Sequence, residues 1–246
     1  MNLTRTTAAI ALAALMAGAA AAHAGETRAV MELFTSQGCS SCPPADALLG
    51  EYAERNDILA LSFNVDYWDM LGWPDTLANH EYTERQRNYA QARGDGQVYT
   101  PQVVIDGRTH VVGSNRAEID AALKANDDGF PVPVSLTMEG DSISVDIGEG
   151  ISRDLPHATL WLVMYDPSVS VPIESGENSG RTLTYTNVVR KFRPIAMWKG
   201  APMSVDLPKS EIAHAKVGNC AVLLQAETEA GLPGPILGAA TIRAGW

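Results

Sequence analysis

Residues 29–49 read AVMELFTSQGCSSCPPADALL, and this stretch decides the fold. A compact apolar run at residues 29–34 predicts a buried strand that ends in a polar turn. The sequence CSSC follows at residues 39–42, and residues 43–55 carry apolar side chains at helical spacing. The stretch therefore predicts a strand and a helix joined by a Cys-x-x-Cys turn.

The position of these cysteines indicates thiol-disulfide chemistry. Free backbone N–H groups and the helix dipole favour a thiolate at a helix N-terminus. The thiolate is the attacking species in disulfide exchange, and the two-residue spacing lets the second sulfur release a partner from a mixed disulfide. We therefore predict Cys39 as the nucleophile and Cys42 as the resolving thiol, with no cofactor and no metal site.

Two alternatives use the same sulfurs. In one, the protein is a periplasmic copper-binding protein, because thiolates suit Cu(I) and similar soft ions. In the other, the bond between the cysteines is only structural, and the protein is a catalytically silent interaction module. A zinc site is less favoured, since it needs a second Cys or His pair and the histidines are scattered singly.

Residues 25–128 alternate strand-like and helix-like segments in the order βαβαββα. Residues 58–65 predict a second buried strand, and residues 76–93 predict a helix that Gly94 ends. Asp106-Gly107 lies between two short apolar runs, which is a strong hairpin signal. This order predicts an α/β thioredoxin-like domain, a mixed sheet flanked by helices.

The dipeptide Thr100-Pro101 stands directly before the third predicted strand. In a thioredoxin-like order this position holds a cis-proline beside the cysteine pair, and X-Pro bonds are those able to adopt the cis form at low cost. Such a bond would turn the Thr100 backbone towards an extended partner strand. An ordinary strand-opening proline is the alternative.

Residues 129–246 have a different pattern of apolar and polar residues. Short alternating runs are separated by turn signals, and no convincing helix interrupts them. This pattern predicts an all-β, sandwich-like C-terminal region. Residues 176–180 are rich in glycine but lack the Lys-Ser/Thr of a phosphate loop, so we interpret them as a strand-linking turn that leans over the cysteines.

Several blocks of the chain resemble a known family. They are ELFTSQGCSSCPPAD at residues 32–46, NVDYWD at 64–69, LGW at 71–73, YTPQ at 99–102 and GENSGR at 176–181. Together they resemble the hallmark of an exported bacterial thioredoxin-like family classed as a domain of unknown function. The resemblance implies a fold and a redox class, but it supplies no substrate.

Acids and aromatic residues near the predicted site suggest supporting roles. Trp68 and Trp73 would form a substrate-binding lip with Thr100 and Pro101, although a packed loop with aromatic plugs also explains them. Asp66 and Glu32 are candidates for proton transfer. A solvent-facing or salt-bridged Glu32 is an equal alternative.

The N-terminus predicts export. Residues 1–24 combine a polar start, an apolar run and a small-x-small end, which is typical of a signal peptide. Its removal would change the formal net charge from −11 to −12, since Arg5 is its only charged residue. We therefore expect a periplasmic or secreted protein without stable membrane insertion.

The acidic surface and the cysteine count limit the partners. Nucleic acid is not expected as a partner, because its binding needs clusters of Lys and Arg. Protein or small-molecule thiols and disulfides are the expected partners. Cys220 opens an apolar run, so we predict that it is a buried and inert thiol, with intermolecular pairing as the alternative that the odd cysteine count leaves open.

Overall fold

The computed structural model describes residues 27–126, 128–151, 157–210 and 218–243. The predicted signal peptide at residues 1–24 lies outside the described residues. Within the described ranges, no helix is both long enough and apolar enough to cross a membrane.

In the described part of the N-terminal half, four strands and three α-helices follow the predicted order βαβαββα. They are β1 (Ala29–Thr35), α1 (Pro43–Ala53), β2 (Ile58–Asn64), α2 (His80–Arg93), β3 (Gln102–Ile105), β4 (Thr109–Val112) and α3 (Arg116–Ala125). β1 pairs in parallel with β2 and antiparallel with β3, which pairs with β4. The chain that leaves the end of β1 therefore starts from the interior of a mixed sheet and enters α1 through the CSSC turn.

The described residues of the C-terminal half contribute seven strands to two sheets. They are β5 (Val134–Glu139), β6 (Ser142–Ile147), β7 (Ala158–Pro172), β8 (Thr182–Trp198), β9 (Met203–Pro208), β10 (Asn219–Glu227) and β11 (Pro233–Arg243). Four of them extend the first sheet, whose order is β11-β10-β7-β8-β2-β1-β3-β4, and the others form the antiparallel sheet β5-β6-β9. An eight-stranded mixed sheet with helices confirms the α/β class. The C-terminal strands are not separate from it, however, because β8 pairs with β2.

Elements pack on both faces of the large sheet. On one face, α1 and α3 cover the β1–β3 region, where Met31 and Leu33 point towards α1. The sheet β5-β6-β9 packs against β7 and β10 in a sandwich-like arrangement, through Val145, Leu160 and Val222 among others. The residues of β1 that alternate with Met31 and Leu33 pack with α2 on the opposite face. All of β1 is therefore buried.

Two predicted elements differ from the structure. The helix predicted from residue 76 begins only at His80, because the Asn79 side chain caps it at the Glu81 N–H, while the Asp75 carboxylate accepts from the Leu77 N–H in a preceding turn. In the C-terminal half, where the sequence predicts short separate runs, residues 182–198 form the single long strand β8, since pairing with β7 continues through its polar middle.

Candidate functional site

A disulfide joins Cys39 and Cys42 in the turn between β1 and α1, with the two Cα atoms 5.4 Å apart. Cys42 is the N-cap residue of α1, and its carbonyl accepts from the N–H groups of Ala45 and Asp46. Both cysteines have 0% of their surface exposed. The sequence thus correctly predicted the strand–turn–helix setting, but both sulfurs are fully enclosed.

Two prolines change the local electrostatics of the helix start. Pro43 and Pro44 occupy the first two helical positions and have no backbone N–H to offer a thiolate. A side chain provides a donor instead, since Ser41 Oγ lies 3.4 Å from Cys39 Sγ. Because a disulfide sulfur has no proton, the Ser41 hydroxyl is the donor of that contact.

The peptide bond between Thr100 and Pro101 is cis, as the sequence predicted. Trp68 connects this bond to the cysteine turn: its indole N–H donates to the Thr100 hydroxyl over 2.8 Å. The Trp68 Cβ also lies so close to Gly38 that a Cβ there would be 3.1 Å away. The structure therefore brings together Trp68, the cis dipeptide and the residue before Cys39.

Trp73 contacts the residues that precede the cysteine turn. Its indole N–H donates to Gln37 Oε1 over 2.8 Å, and the Gln37 backbone N–H donates to the buried carboxylate of Asp75. Burial raises the pKa of Asp75, although hydrogen bonds from Asn64 and two backbone N–H groups oppose the shift. Trp73 and Asp75 thus fix the position of the residue two places before Cys39.

The loop between β7 and β8 crosses the cysteine turn, and we call residues 174–181 the strap. Asn178 is buried, and its side-chain amide donates to the carbonyls of Gln37 and Cys39. The Glu177 carboxylate accepts from the Ser40 N–H over 3.3 Å. The interpretation of residues 176–180 as a turn leaning over the cysteines therefore agrees with the structure.

Glu32 is not brought to the cysteines. It alternates with Met31 and Leu33 along β1, so its side chain lies on the α2 face, opposite α1. There, its carboxylate pairs with Arg85 at 2.6 Å and accepts from Tyr89 over 2.7 Å. The salt-bridged alternative is therefore the correct one, and the structure gives no geometric support to proton transfer by Glu32.

Asp66 belongs to a separate cluster at the start of α2. Its carboxylate accepts from the Thr83 hydroxyl and lies 2.8 Å from His80 Nδ1. Burial alone would raise the pKa of Asp66, but the hydrogen bonds from Thr83 and His80 outweigh it and lower the pKa. Its proton-transfer role stays a prediction, since Asp66 is already engaged with these two partners.

Asp46 is the acidic residue that sequence reasoning missed. It lies one helical turn beyond Cys42 on α1, buried, and its Oδ1 accepts from the Thr35 hydroxyl over 2.7 Å. Among the described residues, its Oδ2 and the buried hydroxyl of Tyr185 have no hydrogen-bond partner. Burial raises the pKa of Asp46 to about 8. Its spacing of four residues from Cys42 was the signal that could have identified it.

The remaining cysteine is remote from this chemistry. Cys220 is free and buried in β10, and burial raises the pKa of its thiol to about 11. This confirms that the thiol is buried, and its inertness stays a prediction. Across the part of the chain that the structure describes, no group of three or more His, Cys, Asp or Glu could hold a metal ion.

Comparisons with known proteins agree with the resemblance of the sequence blocks. Residues 30–225 match a family described as a protein of unknown function, DUF1223. The solved structure of protein AGR_C_4864 from Agrobacterium tumefaciens has 40% identity and a TM-score of 0.80, with 89% of this chain and 95% of that chain covered. HBP35 of Porphyromonas gingivalis has 12% identity and a TM-score of 0.61, covering 89% of this chain and 75% of that chain.

The similarity to HBP35 is one of fold alone, because the sequence identity is low. None of the curated proteins matches the chain. The family match covers most of the sequence, and the Agrobacterium protein is similar over nearly its whole length. The chain therefore belongs to the DUF1223 family of proteins of unknown function.

Proposed function

We propose that this protein is an exported thiol-disulfide oxidoreductase with a thioredoxin-like fold. The observation that carries the proposal is the Cys39–Cys42 disulfide at a strand–helix junction. The local sheet order β2-β1-β3-β4, with β1 and β2 parallel, supports the fold assignment. Trp68 supports the site by linking Thr100 to the cysteine turn.

The proposed reaction is an exchange of two electrons with a partner that carries two thiols. A partner thiolate attacks Cys39 Sγ, the Cys39–Cys42 bond breaks, and Cys42 leaves as a thiolate that takes up a proton. The second partner thiolate then attacks the mixed disulfide and releases Cys39. The partner ends as a disulfide and the protein as a dithiol, and the reverse sequence reduces a partner, with Cys39 attacking.

Asp46 is the group we assign to the proton of Cys42. Its raised pKa of about 8 means that the carboxyl group keeps its proton near neutral pH. It lies one turn beyond Cys42, with one oxygen lacking a partner among the described residues. Asp46 can therefore protonate the leaving Cys42 thiolate, and in the reverse direction its carboxylate can accept the proton.

The proposed compartment is the periplasm or the exterior of the cell. Two observations support export: the signal-like pattern of residues 1–24 and the disulfide itself, which persists in oxidising compartments. The acidic composition argues against nucleic acid as a partner.

Cysteine variants test the proposal directly. We expect that Cys39→Ser abolishes reduction and oxidation of a model disulfide substrate, while Cys42→Ser accumulates a mixed disulfide because nothing resolves it. Cys220→Ser is the matched control and should retain wild-type rates, since this thiol is buried and remote in sequence from the turn. Wild-type exchange rates in Cys39→Ser would overturn the proposal.

A further inference from the structure

The disulfide is buried, and a segment from the distant half of the sequence is hydrogen-bonded to the turn that carries it. Neither Cys39 nor Cys42 exposes any surface, so a partner thiolate cannot reach either sulfur in this arrangement. The strap, residues 174–181, contacts the carbonyl of Cys39 and the N–H of Ser40. Any exchange at Cys39 therefore requires the surroundings of the cysteine turn to open, and the strap is hydrogen-bonded to that turn on both sides of Gly38.

Asn178 is the central anchor of the strap. Its side chain is 1% exposed, and its Nδ2 donates to the Gln37 carbonyl over 2.9 Å and to the Cys39 carbonyl over 3.0 Å. Arg181 fixes the other end of the amide by donating to Asn178 Oδ1. The amide is thus held with both its donors directed at the backbone on each side of Gly38.

Further contacts hold the strap along the substrate lip. The exposed Glu177 carboxylate accepts from the Ser40 N–H, and the Ser175 hydroxyl donates to the Gly72 carbonyl. Gly176 packs against Trp73, where an added Cβ would lie 3.2 Å from the Trp73 Cβ. The strap therefore covers both the CSSC turn and the loop that carries Trp73.

We propose that the strap is a gate, and that Asn178 and Glu177 are specificity-determining residues that favour polypeptide partners over small thiols. This inference rests on the proposed exchange at Cys39. The Asn178 amide donates to the carbonyls of Gln37 and Cys39, and the Glu177 carboxylate accepts from the Ser40 N–H. The backbone of a bound polypeptide can make hydrogen bonds to the same three groups. A polypeptide replaces these hydrogen bonds when it displaces the strap, whereas a small monothiol leaves them unpaired.

The gate leaves the chemistry of the exchange unchanged. Once the strap is displaced, a thiolate of the polypeptide attacks Cys39 Sγ, Cys42 leaves and is protonated, and a second polypeptide thiol resolves the mixed disulfide. The polypeptide dithiol is oxidised and the protein disulfide is reduced, so the electrons balance without a further reagent. The strap affects only how often Cys39 Sγ is accessible.

Two thiol probes test the gate on the full oxidised protein. One is 2-mercaptoethanol, and the other is an unstructured peptide with two cysteines; tryptophan fluorescence and thiol alkylation follow the reduction. Asn178→Ala and Glu177→Ala loosen the strap at a buried and an exposed contact, respectively. Ser179→Ala is the control, because its hydroxyl donates to the Glu174 carbonyl within the strap.

We expect Asn178→Ala to react roughly tenfold faster than wild type with 2-mercaptoethanol, because buried hydrogen bonds of the closed strap are lost. The rate with the dithiol peptide should change by less than about threefold, because the peptide already replaces those bonds. Glu177→Ala should show the same direction with a smaller effect, and Ser179→Ala should match wild type.

The outcomes separate this inference from the proposed function. If wild type reacts with both probes and neither strap variant accelerates the small thiol, the gate is overturned while the exchange stands. Equal acceleration with both probes would overturn the selection for polypeptides. If no variant reacts with either probe, the disulfide is inert, and the proposed function falls together with the gate. Glu177→Ala keeps the test decisive if Asn178→Ala does not fold.

Discussion

The Asp46 carboxyl group is buried beside Thr35, and burial raises its pKa from the usual 3.8 to about 8. The folded state therefore binds a proton that the unfolded chain releases between about pH 4 and pH 8. For such a group the stabilising contribution is complete at low pH and is lost as the pH rises through this window. Asp46 thus couples folding stability to pH, in addition to the proton transfer to Cys42 that we propose for it.

We predict that Asp46→Asn removes this dependence. The free energy of unfolding of the wild type should fall relative to that of the variant as the pH rises from 4 to 8. Each pKa unit is worth about 1.4 kcal/mol, so the change amounts to several kcal/mol. Denaturant unfolding at pH 4, 6 and 8 measures it, with Glu54→Gln at the end of the same helix as control. Parallel pH curves for wild type and Asp46→Asn would contradict the assignment.

Glu32 offers the opposite case, a buried acid whose importance is structural. Glu32→Gln leaves the Arg85 guanidinium without its ionic partner, so we expect a destabilisation of about 3–5 kcal/mol. The pH profile of disulfide exchange should not move, because Glu32 faces α2. Glu84→Gln, which removes an exposed ion pair with Arg87, is the control. A shifted pH profile in Glu32→Gln would restore its predicted role in proton transfer.

The contrast between these two acids shows a limit of sequence patterns. Alternation along β1 separates Glu32 from Met31 and Leu33, but both faces of the strand are buried. A strand with two buried faces has no polar side, so the pattern alone cannot say which face meets the cysteine helix. That information comes from the packing of α1 and α2 on opposite faces.

At the scale of elements, the start of α1 determines how well the cysteine turn stabilises a thiolate. Pro44 removes a backbone N–H that most residues would present at the second helical position. We predict that Pro44→Ala restores this donor and raises the Cys39–Cys42 reduction potential by roughly 10–20 mV, from about 0.3–1 kcal/mol of additional thiolate stabilisation. Equilibration with a redox buffer measures the change.

The control for this prediction is Pro194→Ala, an exposed substitution on β8. It should leave the potential unchanged. A lower potential in Pro44→Ala would contradict the view that helix N–H groups stabilise the thiolate here. Such a result would transfer that role to the Ser41 hydroxyl, which lies 3.4 Å from Cys39 Sγ.

The elements also show what sequence could and could not predict. The bounds of β1 and β2 follow from apolar runs, and the hairpin of β3 and β4 follows from Asp106-Gly107, whose residues both have positive φ. The length of β8 could not be predicted, because its polar middle is held in strand conformation by pairing with β7. Local patterns predict where a strand begins better than where it ends, because pairing with a neighbouring strand can extend it.

At the scale of the whole molecule, the two halves share the large sheet and an apolar cluster that lies against it. β8 pairs with β2 at Ser62 and Val188, and the Asn187 side chain donates to the Ala60 carbonyl. One apolar cluster combines Val30 and Phe34 of β1 with residues of β7 and β10. The predicted boundary between residues 128 and 129 therefore does not coincide with a gap in the core.

We predict that this shared core makes unfolding cooperative. Transitions in guanidinium chloride followed by far-UV and near-UV circular dichroism should coincide, as expected for a two-state process. Under non-reducing conditions the disulfide remains intact and does not add a second transition. Two separated transitions would contradict the shared core and would support the boundary between residues 128 and 129 as one between independent domains.

The same long-range organisation explains why sequence could predict only part of the site. The cysteine turn and the cis dipeptide follow from local motifs, but the strap reaches Cys39 from 139 residues away in the sequence. Its position depends on the register of β7 and β8, which the sequence pattern does not specify. Glycine-rich composition indicated a turn, whereas the two hydrogen bonds of Asn178 became visible only in the folded chain.

The reduction potential of the Cys39–Cys42 pair tests the central proposal most directly. Exchange-active pairs in thioredoxin-like proteins have potentials of about −270 to −120 mV, whereas stable structural disulfides lie below about −300 mV. We predict a value within the exchange-active range, measured by equilibration with redox buffers and alkylation of the free thiols, with Cys220→Ser as background to remove the third thiol. A potential below about −300 mV would contradict the proposal and assign the disulfide a structural role.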